Sequence, residues 1–235
     1  MAREERGHRT QALALLLAGV LCCGVVGTAA ATQEGCGCWS NEPASQFEGY
    51  VRDSVSGRSQ RLAIQRQVTR TVLDRSHRLT EVRYQVEVPA SAMGLQSNSE
   101  SRVDSSISYR LTLTQYFNEL EFEGDYYVAV SRYRGTWRRL DTQVAASDAY
   151  LLALVESSLT LGGGGISGLE NTNPFTPGSY ASRTLTPSWA GTYVRVGFLE
   201  AQCGQINATL YRRNNSAHTW ELWFNVCEGV PPWGF

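Results

Sequence analysis

An apolar/polar alternation with a period of two residues constrains this chain more than any other feature. Val82, Tyr84, Val86 and Val88 share one parity, Arg83, Gln85 and Glu87 take the other, and Pro89 ends the run. The pattern recurs in Ile107, Tyr109, Leu111 and Leu113, in Ile206, Ala208 and Leu210, and in Trp220, Leu222, Phe224 and Val226. It also recurs in Val194, Val196 and Phe198. Period two places successive side chains on opposite faces of a strand, so each segment reads as a half-buried strand. Short polar turns separate them: Asp74-Arg75-Ser76-His77, Arg134-Gly135-Thr136 and Arg212-Arg213-Asn214-Asn215-Ser216. This spacing predicts an all-β, antiparallel β-sandwich or jelly roll. The Thr and Val content of 62–73, ahead of a clear strand, favours a hairpin there.

Two local structures carry more specific expectations. In the hairpin after Glu119-Leu120-Glu121-Phe122, a two-residue Gly124-Asp125 turn mixes charge and apolar side chains on both faces. A three-residue loop, Glu123-Gly124-Asp125, sets Phe122 opposite Tyr126 and Leu120 opposite Val128, and burial of one apolar face selects that register. One short helix is predicted over 149–159, with Ser147 as N-cap, Asp148 in the first turn and Leu151, Leu152, Val155 and Leu159 along one side. A buried strand is the competing reading. Gly162 to Gly165 end the element, and the Gly-, Asn- and Pro-rich stretch to about Pro187 reads as one long connection.

The N-terminus points to export. Arg3, Arg6, His8 and Arg9 precede an unbroken apolar run over 12–27, followed by Thr28-Ala29-Ala30-Ala31. Residues 1–31 are read as a cleaved signal peptide, leaving a single β-sandwich domain over 32–235. A retained anchor is the rival, but the run falls short of the roughly 20 apolar residues a span requires. The expected location is secreted or periplasmic, with no membrane span after cleavage. Export makes disulfides the expected state of Cys36, Cys38, Cys203 and Cys227. The pairing stays open. Two long-range bridges would tie the Cys36-Gly37-Cys38 segment to the strands of Cys203 and Cys227, whereas a Cys203–Cys227 staple would leave a redox pair.

Composition excludes several function classes. Every one of the 21 basic residues is Arg, which removes Schiff-base lysines, a P-loop lysine and Ser-Lys catalysis. Against 22 acidic residues the formal charge is −1, so no bulk field recruits nucleic acid. His77 and His218 lie in turns without a ligand pattern, and no metal or cofactor is expected. Asn207-Ala208-Thr209 and Asn214-Asn215-Ser216 fit the glycosylation pattern, at a frequency chance would supply.

Two constellations remain. The run Glu119-Leu120-Glu121-Phe122-Glu123 resembles the Glu-x-Asp-x-Glu strand of laminarinase- and lichenase-type jelly-roll glycosidases, with Glu at the centre. That resemblance implies a carboxylate-based glycoside hydrolase with Glu119 as nucleophile, Glu121 as assisting carboxylate and Glu123 as acid. The second constellation runs from Arg132 to Arg139 and interleaves Arg with Tyr133 and Trp137. Such a strand binds polyanions, stacks on sugars, or balances the acidic strand. Trp223, Tyr193, Tyr211 and Tyr127 are the aromatic residues expected to face outward. The sequence favours a non-catalytic binding or structural module whose partner is a carbohydrate or a cell-surface protein, with Arg132, Tyr133, Trp137 and Trp223 as binding candidates. The hydrolase is the alternative.

Overall fold

Alternating residues can bury one face only if a second apolar face meets it, and the computed structural model shows this solution. It describes residues 45–93 and 107–231, so the expected signal peptide over 1–31, Cys36 and Cys38 lie outside the described residues. Twelve strands form two antiparallel sheets: β1 (Ser45–Asp53), β2 (Ser59–Arg61), β3 (Ile64–Val72), β4 (His77–Pro89), β5 (Ile107–Phe122), β6 (Asp125–Arg139), β7 (Val144–Ser157), β8 (Ile166–Asn171), β9 (Tyr180–Leu185), β10 (Val194–Arg195), β11 (Glu200–Arg212) and β12 (Asn215–Val230). Sheet 1 has the order β2-β1-β12-β11-β7-β8. Sheet 2 is a β3-β4-β5-β6 meander, with β10 and β9 both paired to β6.

The core follows the alternation. Val82, Tyr84, Val86, Val88, Tyr109, Leu111 and Leu113 point inward from sheet 2 and are wholly buried. Trp220, Leu222, Phe224, Val226, Ile206, Ala208 and Leu210 meet them from sheet 1. The two layers touch closely at Gly204: a Cβ there would lie 2.6 Å from the Tyr133 ring, so only glycine admits that ring. Phe198 departs from its expected place. Val194 and Val196 are buried, but β10 stops at Arg195 and Phe198 is 79% exposed in the following turn.

The segment expected to be helical is strand β7. Ala149, Leu151, Ala153 and Val155 face the core, while Leu152 and Leu154 sit half-buried on the opposite face. A strand apolar on both faces mimics a helical stripe. Ser147 pairs with Thr209 instead of capping a helix, and Asp148 and Ala149 form a β-bulge opposite Ala208, between the Asn207–Tyr150 and Thr209–Ser147 pairs. Asp148 takes a left-handed φ of 48° there. The one helical element among the described residues is a 3-10 turn, Ala90–Met93. The expected long connection contains two edge strands, β8 and β9, whose small and polar side chains conceal their alternation.

The acidic hairpin takes neither of the two registers weighed from sequence. Phe122 lies opposite Asp125, Leu120 opposite Tyr127 and Glu119 opposite Val128. The turn residues are Glu123 and Gly124, at φ of 54° and 83°. Two successive left-handed residues make the tight turn that matches strand twist, and this turn geometry outweighs a clean apolar face.

Two other turns carry an acid dependence. Asp53 accepts hydrogen bonds from the Val55 and Ser56 backbone N–H groups and lies 2.9 Å from His218 Nε2. The Ser56 N–H, then His218, hold its carboxyl at about 2, below the ordinary 3.8. Asp74 is held at about 2 by the Ser76 N–H, then His77. A lowered folded pKa contributes stability above the unfolded carboxylate pKa, and that contribution is lost as pH falls from about 4 to about 2. The melting temperature should drop across that window, and Asp53→Asn with Asp74→Asn should flatten the drop. An unchanged acid slope in the double variant would remove these two turns from the explanation.

Candidate functional site

The acidic strand comes first. Glu119 and Glu121 share the interior parity of β5, and Glu123 occupies the turn. Glu119 is 1% exposed, its Oε1 3.6 Å from Arg70 Nη2 and its Oε2 3.9 Å from Arg78 Nη1. Arg78 is its cross-strand neighbour. This carboxylate is enclosed between two guanidinium groups in the interior, out of reach of a glycosidic oxygen. Glu121 is half-buried and Glu123 exposed. The three do not converge on a shared cleft, which is the geometry a two-carboxylate hydrolysis requires.

The Arg/aromatic strand splits by parity. Tyr133 and Trp137 are wholly buried between the sheets, and Trp137 Nε1 donates to the Asn207 backbone carbonyl at 2.8 Å. They are core residues and cannot touch a ligand. Burial also pushes the Tyr133 phenol well up from its ordinary value. Arg132, Arg134 and Arg138 are exposed on the outer side of sheet 2. Among the outward aromatic candidates, Trp223, Tyr193 and Tyr211 are half-buried at the surface, while Tyr127 is buried at 4% exposure.

Trp223 leads to a site that sequence alone did not assemble. Trp220, Leu222 and Phe224 point inward, so Trp223 points out from sheet 1. In register it lies between Tyr50 on β1 and Asn207 on β11, and Asn207 lies beside Tyr150 on β7. One rung across four strands therefore reads Tyr50–Trp223–Asn207–Tyr150. Strands are about 4.8 Å apart, so Trp223 and Tyr150 stand about 10 Å apart across the amide. The Tyr50 and Trp223 rings are 5.8 Å apart and tilted by 32°.

The rungs on either side are mostly polar, with Glu48 beside Asn225 on β1 and Leu152 beside Gln205 on β7. Arg52, Glu221 and Thr209 align on one, and Asn225 and Gln205 on the other. Gln205 Nε2 donates to Asn207 Oδ1 at 2.8 Å, which fixes the amide orientation. The Asn207 side chain is 8% exposed, and its Nδ2 has no hydrogen-bond partner among the described residues. A buried amide donor left unmatched is costly unless a ligand or water accepts from it. Asn207, Tyr150, Gln205, Thr209, Glu221 and Trp223 line a shallow groove of about 410 Å³, with the bulged Asp148 at its wall. The same burial withdraws the Asn207 sequon in the folded chain, whereas Asn214 is exposed in the β11–β12 turn.

Sulfur chemistry lies on the same face. Cys203 and Cys227 face each other across β11 and β12 and form a disulfide, one rung beyond Gln205 and Asn225. This is the local staple, and it removes the long-range pairings of these two cysteines. Among the described residues no group of three or more His, Cys, Asp or Glu is placed to hold a metal ion, and no helix is long and apolar enough to cross a membrane. Comparison with known proteins found no matching family model, no matching curated protein and no matching solved structure.

Proposed function

We propose that the chain is an exported, non-catalytic binding module that takes a neutral carbohydrate on the outer face of sheet 1. The aromatic–amide rung carries the reading. Sugars present C–H faces that stack on aromatic rings and hydroxyls that pair with amides, and Trp223, Tyr150, Asn207 and Gln205 offer both on one shallow surface. Arg52, Glu221 and Asp148 line the groove, one cation against two carboxylates, which disfavours an acidic ligand and leaves the uncharged class. A flat sheet supported by a packed core is rigid, so little ordering cost opposes binding. The enclosed Glu119 lends no support to the hydrolase alternative.

The test is calorimetric titration with a panel of soluble neutral polysaccharides and their oligomers. At least one should bind, and Trp223→Ala and Tyr150→Ala should each weaken it about tenfold or more, equal to about 1.4 kcal/mol. No binding across the panel, or binding that both variants leave unchanged, overturns the reading. Capture of a cell-surface protein through the same residues would overturn the ligand class.

A further inference from the structure

We infer that the outer face of sheet 2 is a second binding surface, one that takes the sulfate or carboxylate groups of an acidic polysaccharide. It lies on the opposite side of the sandwich from the aromatic groove and does not rest on the neutral-carbohydrate reading.

With Tyr133 and Trp137 turned inward, Arg132, Arg134, Thr136 and Arg138 turn outward from β6. The acidic residues of β5 have the opposite parity, so they cannot balance these arginines: Glu119 meets Arg70 and Arg78 instead. Arg132, Arg134 and Arg138 make no ion pair among the described residues. Arg132 lies over the Tyr116 ring at 4.2 Å, and Arg134 Nε donates to Ser182 Oγ at 3.0 Å. The carboxylates on this face are already engaged, Glu87 by Arg110 at 2.9 Å, Glu81 by Arg83 at 3.7 Å and Asp125 by Arg195 at 3.7 Å.

Register then builds a site. Arg134, Thr114 and Arg83 share a rung on strands about 10 Å apart, with Arg134 free of any ion pair among the described residues and Arg83 shared with Glu81 at 3.7 Å. The next rung is neutral and polar throughout: Gln65, Gln85, Thr112, Thr136 and Ser182. Arg83, Gln85, Thr112, Thr114, Arg134 and Thr136 from these rungs line a groove of about 250 Å³, with Tyr116 and Tyr180 beside them. A guanidinium fork matches a planar or tetrahedral oxyanion through two parallel N–H bonds. Hydroxyl and amide groups alongside match sugar hydroxyls. Charged groups set among neutral hydroxyls describe an acidic polysaccharide better than a nucleic acid, whose bases require stacking platforms. Arg132 covers one face of Tyr116, and Tyr180, 59% exposed, lines the same groove as a single ring, one platform where successive bases require a row. The formal charge of −1 supplies no long-range field, so attraction is local to this face.

The experiment uses the whole chain and three probes: dextran sulfate, uncharged dextran and inorganic sulfate. Dextran sulfate should bind at about 0.05 M NaCl and weaken at least tenfold by about 0.5 M, since exposed charges are screened. Uncharged dextran and free sulfate should bind at least tenfold more weakly. Arg134→Gln with Arg138→Gln should weaken dextran sulfate at least tenfold while the melting temperature holds. Arg134→Lys with Arg138→Lys, which keeps charge and loses the fork, should lie between. Trp223→Ala should leave this binding unchanged, which separates failure here from failure of the sheet 1 site. No binding at low salt, an unaffected Gln double variant, or equal affinity for single-stranded DNA of the same charge would overturn the inference.

Discussion

Trp137→Ala should destabilise the fold by about 3–5 kcal/mol, the range for removing a large aromatic side chain from a closed core. The indole is wholly buried, packs edge-on against Phe175 with centroids 5.1 Å apart, and donates to the Asn207 carbonyl. Truncation opens a cavity and leaves that buried carbonyl without its donor. The bulge in β7 lies next to this position, opposite Ala208, so the local ladder is poorly placed to replace the bond. Trp137→Phe keeps most of the packing and loses the bond, and should cost about 1–2 kcal/mol. Urea denaturation of both variants measures this. Had Trp137 been a surface residue for ligand, as the Arg/aromatic strand suggests in isolation, alanine would shift stability by no more than about 0.5 kcal/mol. A shift that small would place the residue outside the core and with it the parity assignment of β6.

That parity assignment marks how far the sequence could be read. β4, β5, β11 and β12 were legible because each buries one face, which makes composition alternate. β6 alternates too, but both parities offered aromatic or basic side chains, and only its neighbours decide which side is interior. β7 was obscured because it is apolar on both faces, and its bulge places Ser147-Asp148 where a helix cap would stand. β8 and β9 carry Gly, Ser, Ala and Thr at positions where a larger strand residue would have shown the period. The acidic turn lies one residue from the register that burial alone selects, because the two left-handed turn residues match strand twist.

The groove on sheet 1 was legible only in part for a different reason. Trp223 is an outward residue by simple parity with Trp220, Leu222 and Phe224. Tyr50, Asn207 and Tyr150 lie far from it in sequence and become neighbours only through the order β1-β12-β11-β7. Strand order is a tertiary fact, and no local pattern encodes it. One signal was available: Asn207 interrupts a run that places Ile206, Ala208 and Leu210 inward, so its amide had to face the opposite side. Glu119 shows the converse error. Its spacing with Glu121 and Glu123 looked like chemistry, but its register with Arg78 makes it part of an interior ion cluster.

Replacing both Cys203 and Cys227 with alanine should cost about 3 kcal/mol of folding stability. The bridge spans 24 residues, and loop entropy for a constraint of that length in the unfolded chain gives about 3.5 kcal/mol. The hairpin itself already brings the two residues into register, so residual β11–β12 pairing in the unfolded chain would lower the figure slightly. Burial of both sulfurs at 2% and 1% exposure makes substitution a cleaner test than a reductant acting on the folded protein. Urea melts of parent and variant should show the midpoint fall, with little change for the parent after alkylation under native conditions. The consequence extends to the groove. The disulfide lies one rung from Gln205 and Asn225 and two from Trp223 and Asn207, on the same face. Loss of the bridge should therefore raise hydrogen exchange at that end of β11 and β12 before the rest of the core exchanges, because local opening precedes global unfolding. An unchanged midpoint, or peptide mapping that joins Cys203 to Cys36 or Cys38, would refute a local bridge that rigidifies the binding face.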